Sequence, residues 1–333
     1  MRIAYSLEDL ARPEIQDLLG SSTAVGVTIG NFDGFHLGHQ ALFERLDHRL
    51  SVIARVQNLR PTRVLFTFVP HPRNYFKQVS RTERSANPEY FSITPLRKKL
   101  ALAREQGFDL VVVAHFNRDF ARLSPTDFIE RYLVGGLGTQ LVVVGYDWSF
   151  GKDRAGTTDF LFREGQAHGF QVAIVPPVLS GETRVSSSVV RSALSDGDLS
   201  LLETLLGRPF SILAKVVHGE KRGRTIGFPT ANLRLHRQLT PPDGVYAVRA
   251  RLRGVRYDGV ANLGQRPTFD GVGRSLEVHL LQSPPSDCYG EYLDVTFIER
   301  VRDEKKFSGI EELRVQIESD IVEARAILRT QTA

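Results

Sequence analysis

The sequence predicts two unlike domains in one chain: an α/β domain built on a parallel sheet, then a smaller all-β domain with a helix at its end. Three observations carry this. The chain has 333 residues, more than a single core usually serves. Through the first 190 residues, apolar β-rich runs alternate with helical stretches. Beyond about Ser192, strand-like runs follow one another across Gly and Pro turns, with no helix until the last segment.

The elements of the first half can be taken in order. Strands are expected at Val25–Gly30, Val64–Phe68, Leu110–His115, Leu141–Gly145 and Val172–Val175. Helices are expected around His36–Ala54, Pro95–Gln106, Pro125–Leu133 and Thr158–His168. Near-continuous apolar strands separated by helices indicate a parallel sheet buried on both faces, whose ligand crevice lies beyond the strands' carboxyl ends. The division is set at residues 1–190, a helical linker over 191–206 ending at Gly207 and Pro209, and a second domain over 207–333.

In that second domain, strands are expected at Ser211–His218, Val245–Leu252, Val255–Leu263, Leu276–Leu281 and Tyr292–Ile298, which suits an antiparallel barrel or sandwich. Ile310, Leu313, Ile317, Ile321, Ala324 and Leu328 form one apolar stripe at helical spacing.

Composition narrows the class. With 41% hydrophobic and 24% charged residues the chain is globular, neither disordered nor collagen-like. Its one cysteine, Cys288, can form no intrachain disulfide, so a reducing cytoplasm is the expected compartment. Residues 1–10 carry Glu8 and Asp9 and no long apolar run, so no secretory signal is expected, and no run of about 18 apolar residues suggests a membrane span.

The net charge of +5 is unevenly spread. Residues 51–100 hold ten Lys and Arg against two Asp and Glu, and residues 201–250 hold eight against three. An acidic background thus carries two basic windows, either two anion sites or two solvated loops.

The stretch VTIGNFDGFHLGHQALFERL carries the most chemistry in the first domain. A strand ends at Gly30, a helix begins near His36, and Gly30, Asn31, Phe32 and Asp33 in the tight turn between them are expected, with Gly38, to meet ATP phosphate. His36 and His39 share one face of its first turn. A helix N-terminus attracts anions, and two imidazoles there suit triphosphate charge, with Gly38 allowing close approach to the backbone. A metal pair is the alternative, but no nearby Cys or carboxylate cluster completes a ligand set; ordinary surface histidines are another. Neither GxGxxG nor GxxxxGK[ST] is present.

GNFDGFHLGH resembles the HxGH signature of nucleotidyltransferases, and specifically the amino-terminal module of the bacterial bifunctional riboflavin kinase/FMN adenylyltransferase (FAD synthetase) family. TFVPHPRNYF (67–76), FNRDFARLSPTDFI (116–129), VVGYDWSFGKDRAG (143–156) and RVSSSVVR (184–191) match its further blocks in order. The resemblance implies a Rossmann-like domain in which His36 and His39 stabilise the adenylyl-transfer transition state. It implies that Asp147 helps form the flavin and metal side, and that Arg184, Ser187, Ser188 and Arg191 hold ATP phosphates. A serine run beside arginine is also an ordinary helix cap. Ser188 stands where the family commonly has threonine, and WSFG replaces the more frequent FRFG, so Ser149 lacks a basic side chain.

The second domain opens with VVHGEKRGRTIGFPTANL. Gly219, Gly223 and Gly227 punctuate a loop with Lys221, Arg222 and Arg224, a plausible phosphate cradle or else a basic hairpin loop. Thr230 and Asn232 offer oxygens at alternate positions after Pro229, as magnesium ligation would require. Glu277 alternates with Leu276 and Val278, which places it on the face opposite the apolar set, where a lone glutamate is usually solvated.

GRTIGFPTANL, DGVYAV, GVANLGQRPTF, LEVHLL, YGEYLDVTF and RDEKKFSGIEEL together resemble the riboflavin kinase module of the same family. That resemblance implies a small antiparallel β-barrel with a terminal helix, Thr230 and Asn232 on Mg²⁺-ATP, and Glu277 as the base for the ribityl hydroxyl. Gln265 replaces the threonine usual before Arg-Pro-Thr-Phe, and Gln282 a common aspartate.

The function expected is riboflavin + ATP → FMN + ADP in the second domain and FMN + ATP → FAD + pyrophosphate in the first, both with Mg²⁺. The expected partners are these small molecules, with neither nucleic acid nor membrane; the oligomeric state is left open. One rival is a protein with a single live site, suggested by Ser149 and Gln265. Another is a nucleic-acid binder using the basic windows, which predicts strongly salt-dependent affinity and no flavin turnover.

Overall fold

In the computed structural model of the chain, residues 1–79, 92–219, 226–235, 238–268, 271–282 and 288–331 are described; side chains at 77–79, 266–268 and 271–273 are not. The chain divides into two compact units, Met1–Ser187 and Ser188–Ala333.

The first unit begins with β1 (Arg2–Ala4), α1 (Leu7–Leu10), α2 (Pro13–Leu19), β2 (Thr23–Ile29), α3 (Leu37–Gln57), β3 (Arg60–Val69), α4 (Pro72–Val79) and α5 (Leu96–Glu105). It continues through β4 (Leu110–His115), α6 (Arg118–Ala121), α7 (Pro125–Phe128), a wide helical turn at Ile129–Gly136, β5 (Leu141–Gly145), α8 (Thr158–His168), β6 (Gln171–Val175), and the short ribbon β7 (Leu179–Ser180) and β8 (Thr183–Arg184). The six main strands form one parallel sheet in the order β1-β4-β3-β2-β5-β6.

Every residue of β2 is buried, because one core covers each face of the sheet. Phe43, Leu46 and Leu50 of α3 belong to one core; Phe128, Ile129 and Leu161 belong to the other. Strand order runs outward from β2 through β3 to β4 on one side and through β5 to β6 on the other. The turn after β2 therefore stands at the switch point where such sheets open a crevice.

The second unit takes in all but the first residue of α9 (Ser187–Asp196), then α10 (Leu199–Leu206), β9 (Ser211–Val217), β10 (Ala231–Arg234), β11 (Gly244–Leu252), β12 (Val255–Thr268), β13 (Gly271–Leu280), β14 (Tyr292–Arg302) and α11 (Ile310–Thr330). The strands close an antiparallel barrel in the order β10-β13-β12-β11-β14-β9, with β9 pairing back on β10. Of the two forms expected, the barrel is the one present. Tyr246, Val248, Leu263, Leu276, Val278 and Phe297 fill its interior. Ala324 and Leu328 of α11 cover Val245, Ala247 and Val260 on its outer face.

Residues 191–206 hold the end of α9 and all of α10, with a break at Gly197 and Asp198: Leu202, Leu205 and Leu206 are fully buried, and α10 lies on β14. The segment Lys77–Ser92 is longer than the family resemblance leads one to expect, and residues 80–91 of it lie outside the described residues.

Candidate functional site

The turn between β2 and α3 is held by an unusual backbone. Phe32, Gly34 and Phe35 have φ of 44°, 106° and 50°, and positive φ is costly for the two phenylalanines. Their rings offset that cost by burying almost completely against Phe43, at centroid distances of 5.5 and 5.4 Å. The Phe32 ring is therefore core, and only its backbone is placed to meet a ligand. A side chain at Gly30 would press on the same ring.

Polar bonds fix the rest of the turn. Asp33, 2% exposed, accepts from the Thr94 N–H at 2.9 Å, and Gly34 N–H donates to Thr94 Oγ1 at 2.9 Å. Ser187, at the end of the first unit, donates its hydroxyl to the Asp33 carbonyl at 2.8 Å.

His36 caps the start of α3, and the His36 and His39 rings stack 3.7 Å apart at 18°. Gly38 makes this possible: a Cβ there would lie 3.1 Å from His36 Nδ1 and 3.5 Å from the Val185 carbonyl. The space at Gly38 is thus used by the His36 ring. Burial pushes the His36 pKa down to about 4, against a smaller opposing pull from Asp33. Burial, then the His36 and Lys99 charges, holds His39 well below the ordinary range.

Both rings are consequently neutral at pH 7. Ser187 spends its only proton on Asp33, so in its 3.4 Å contact with His36 Nε2 the imidazole is the donor. The Nδ1 atoms of both histidines and Oδ1 of Asn31 are buried without a hydrogen-bond partner among the described residues.

Asp147 follows β5 and pairs with Arg184 at the end of β8, Nη2 to Oδ2 being 2.6 Å. The guanidinium also lies 4.8 Å over the Tyr146 ring. Asp147 and Arg184, expected on the flavin and phosphate sides respectively, are therefore joined. Ser188 and Arg191 lie further along α9, one and four residues after Ser187. Ser149 accepts a hydrogen bond from Arg154 Nε at 2.7 Å, so a cation absent at that position arrives from five residues on. Next to Asp147, Trp148 stacks on Phe150 at 4.4 Å; separately, Phe76, 55% exposed, packs beside Tyr75 and Phe116.

In the second unit, register assembles a row. Asn232 on β10 faces Glu277 on β13, which in turn faces Asn262 on β12. Their neighbours Leu233, Leu276, Val278 and Leu263 point into the barrel, so the row lies on the outer face. Gly219 is there for space: a Cβ would sit 2.4 Å from Asn232 Cγ. Gly227 takes φ +91°, Thr230 immediately precedes β10, and His279 Nδ1 lies 2.9 Å from the Pro229 carbonyl. Lys221, Gly223 and Arg224 lie outside the described residues.

Three further residues join these sites without a signal in the local sequence. Asn262 belongs to the Glu277 row by pairing alone. Glu304 places Oε1 3.5 Å from Asn262 Nδ2, reaching back from beyond β14. Lys99 of α5 is 5% exposed and bonds to Asn31 and Thr67. Its place in an Arg-Lys-Lys run reads as solvated surface. Among the described residues, no three His, Cys, Asp or Glu side chains form a metal-holding group.

Comparison with known proteins finds a family match for each half of the chain. A family model described as FAD synthetase matches residues 20–189, and one described as riboflavin kinase matches residues 206–328. The bifunctional riboflavin kinase/FMN adenylyltransferase of Haemophilus influenzae is 41% identical over 305 residues, 91% of this chain and 94% of that protein. The protein of the same name from Escherichia coli K12 is 41% identical over 300 residues, 90% of this chain and 91% of its own. That from Bacillus subtilis is 39% identical over 304 residues, 90% of each.

A crystal structure from Streptococcus pneumoniae, described as a macrolide-efflux protein, superposes with a TM-score of 0.76 at 32% identity, covering 93% of this chain and 96% of that one. Among the described residues of the present chain, no helix is long and apolar enough to cross a membrane. With both family models matched in order along most of its length, the chain belongs to the bifunctional riboflavin kinase/FMN adenylyltransferase family.

Proposed function

We infer that this chain carries out both reactions of its family: phosphorylation of riboflavin by ATP in the second unit, and adenylyl transfer from ATP to FMN in the first. The observation that carries the first-unit assignment is the stacked His36/His39 pair at the start of α3, at the switch point of the sheet. In adenylyl transfer the FMN phosphate attacks the α-phosphorus of ATP and pyrophosphate leaves, so no enzyme nucleophile is needed. Catalysis rests on holding the reactants in line and on donors aimed at the charge that develops.

The neutral His36 ring offers its Nε2–H to a phosphate oxygen in place of the long Ser187 contact, and the α3 N-terminus adds its dipole. Arg184, released from Asp147, takes further phosphate charge together with Ser187, Ser188 and Arg191. Asp147 then faces the flavin and metal side, and the Trp148, Phe150 and Phe76 rings supply a surface for an isoalloxazine.

In the second unit Glu277 accepts the proton of the ribityl hydroxyl as the γ-phosphoryl group moves to its oxygen. Thr230, Asn232 and Glu277 are hard oxygen donors, a set that suits Mg²⁺ sharing its coordination with waters and ATP phosphates. Thr230 and Asn232 would hold the ion. Bound there, it would neutralise charge on the β- and γ-phosphates. Gly219, Lys221, Gly223, Arg224 and Gly227 cradle those phosphates. The reducing cytoplasm suits a chain whose single cysteine, Cys288, can form no intrachain disulfide.

Chromatography of riboflavin, FMN and FAD after incubation with Mg-ATP tests both assignments. The His36→Ala/His39→Ala variant is expected to accumulate FMN, and Glu277→Gln to convert supplied FMN to FAD while leaving riboflavin unphosphorylated. Loss of both reactions in either folded variant refutes the division of labour.

A further inference from the structure

An ammonium group buried beneath the first site has no part in the chemistry described so far. Lys99 projects from α5 and is 5% exposed. Its Nζ donates to the Asn31 carbonyl at 2.5 Å and to Thr67 Oγ1 at 3.0 Å. Asn31 opens the turn that carries Asp33 and His36, and Thr67 lies on β3, the neighbour of β2. Thr67 Oγ1 also lies 3.3 Å from the Asn31 carbonyl, so that oxygen is gripped from two sides.

The titratable groups that face the ammonium are Asp33 of the same turn, which carries the charge, and the neutral His39 of α3. Burial lowers the Lys99 pKa to about 8, opposed by Asp33. Thr94, the residue just before Pro95 at the start of α5, holds Asp33 and Gly34. One helix start and one lysine thus clamp the turn at both ends.

A buried lysine is a poor choice if packing is all that is needed. Desolvating an ammonium is costly, and an apolar side chain of similar length fills the same volume without that cost. What a methionine cannot do is hold the Asn31 carbonyl. The Asn31 Oδ1 atom is buried and without a hydrogen-bond partner among the described residues, so the clamped residue itself keeps a polar atom that the fold leaves unspent.

We propose that Lys99 is a positioning residue for adenylyl transfer: by gripping the Asn31 carbonyl from beneath, it sets the turn that aims Asn31 and His36 at the ATP phosphates. The proposal rests on adenylyl transfer being the reaction of the first unit. Misplacing reacting groups by about 1 Å costs on the order of 100-fold in rate, so the effect belongs in kcat.

The test uses the full-length protein and Lys99→Met. FMN to FAD turnover is measured with Mg-ATP, KM is measured for FMN and ATP, and riboflavin phosphorylation by the same preparation serves as an internal control. Expected is a fall in kcat for FAD formation of about 30- to 100-fold. Both KM values should stay within about threefold, and kinase turnover should be unchanged. A strut with no bearing on the reaction predicts instead that melting temperature falls and kcat does not. A kcat within about threefold of wild type overturns the proposal.

Should Lys99→Met melt early, Lys99→Ala decides. Restoration of its kcat by ethylammonium, saturable and absent with ethanol, supports the positioning role; no restoration in a variant with intact near-ultraviolet dichroism overturns it. Wild-type protein that makes no FAD from FMN overturns the underlying assignment, an outcome distinct from a Lys99 variant that matches an active wild type.

Discussion

The buried histidine pair makes the first unit sensitive to acid in a calculable way. His36 has its pKa lowered from 6.5 to about 4, chiefly by burial. As pH falls below 6.5 the unfolded chain takes up a proton here that the folded chain refuses until about pH 4. Stability therefore falls with pH across that window, and the loss is complete below it. At 1.36 kcal/mol per pKa unit, the separation amounts to about 3 kcal/mol.

His36→Gln removes the titration while keeping a neutral polar side chain, so the stability difference between wild type and variant should shift by about 3 kcal/mol between pH 7 and pH 4. His39 and the carboxylates titrate in both proteins and largely cancel. Trp148, the only tryptophan, lies in the first unit, so urea unfolding followed by its fluorescence reads that unit. A difference constant within about 0.5 kcal/mol across this range would show that His36 is not held neutral by burial, and the reasoning about the site's electrostatics would fail.

Two further perturbations separate the units. Gly219→Ala forces a methyl group into the Asn232 carboxamide, so riboflavin phosphorylation should fall by at least tenfold while FMN adenylylation is untouched; equal turnover of riboflavin would refute the packing argument. Arg302 makes two hydrogen bonds to the Asp320 carboxylate, whose side chain is 4% exposed. Arg302→Met strands that charge and should destabilise the second unit by about 3–5 kcal/mol, seen as early thermal loss of kinase activity with the Trp148 transition unchanged.

Patterning alone made most elements legible, for identifiable reasons. β4 (Leu110–His115), β5 (Leu141–Gly145) and α8 (Thr158–His168) have the limits their sequence predicts, because continuous apolar runs and a Thr cap with a Gly stop leave little choice. Shorter elements went unread. Three-residue β1 gains its partner only from β4, and β10 is a strand because β9 and β13 flank it. Strand patterning alone left barrel and sandwich open and the family resemblance chose the barrel, since closure is a matter of β9 meeting β10 across the unit.

The sites divide the same way. His36 and His39, three residues apart after a strand, announce themselves through helical spacing, and Glu277 and Asn232 through ordered blocks that resemble a family. Local sequence thus determined which chemistry the chain carries and the order of its two domains, because spacing and turn chemistry are properties of neighbouring residues. Tertiary structure decided the rest. It neutralised the histidines by burial, turned a lysine from an apparently solvated run into the clamp beneath them, and set Asn262 beside Glu277 by strand register. Desolvation and cross-strand contact depend on groups far apart in the chain, and only the folded chain brings those together.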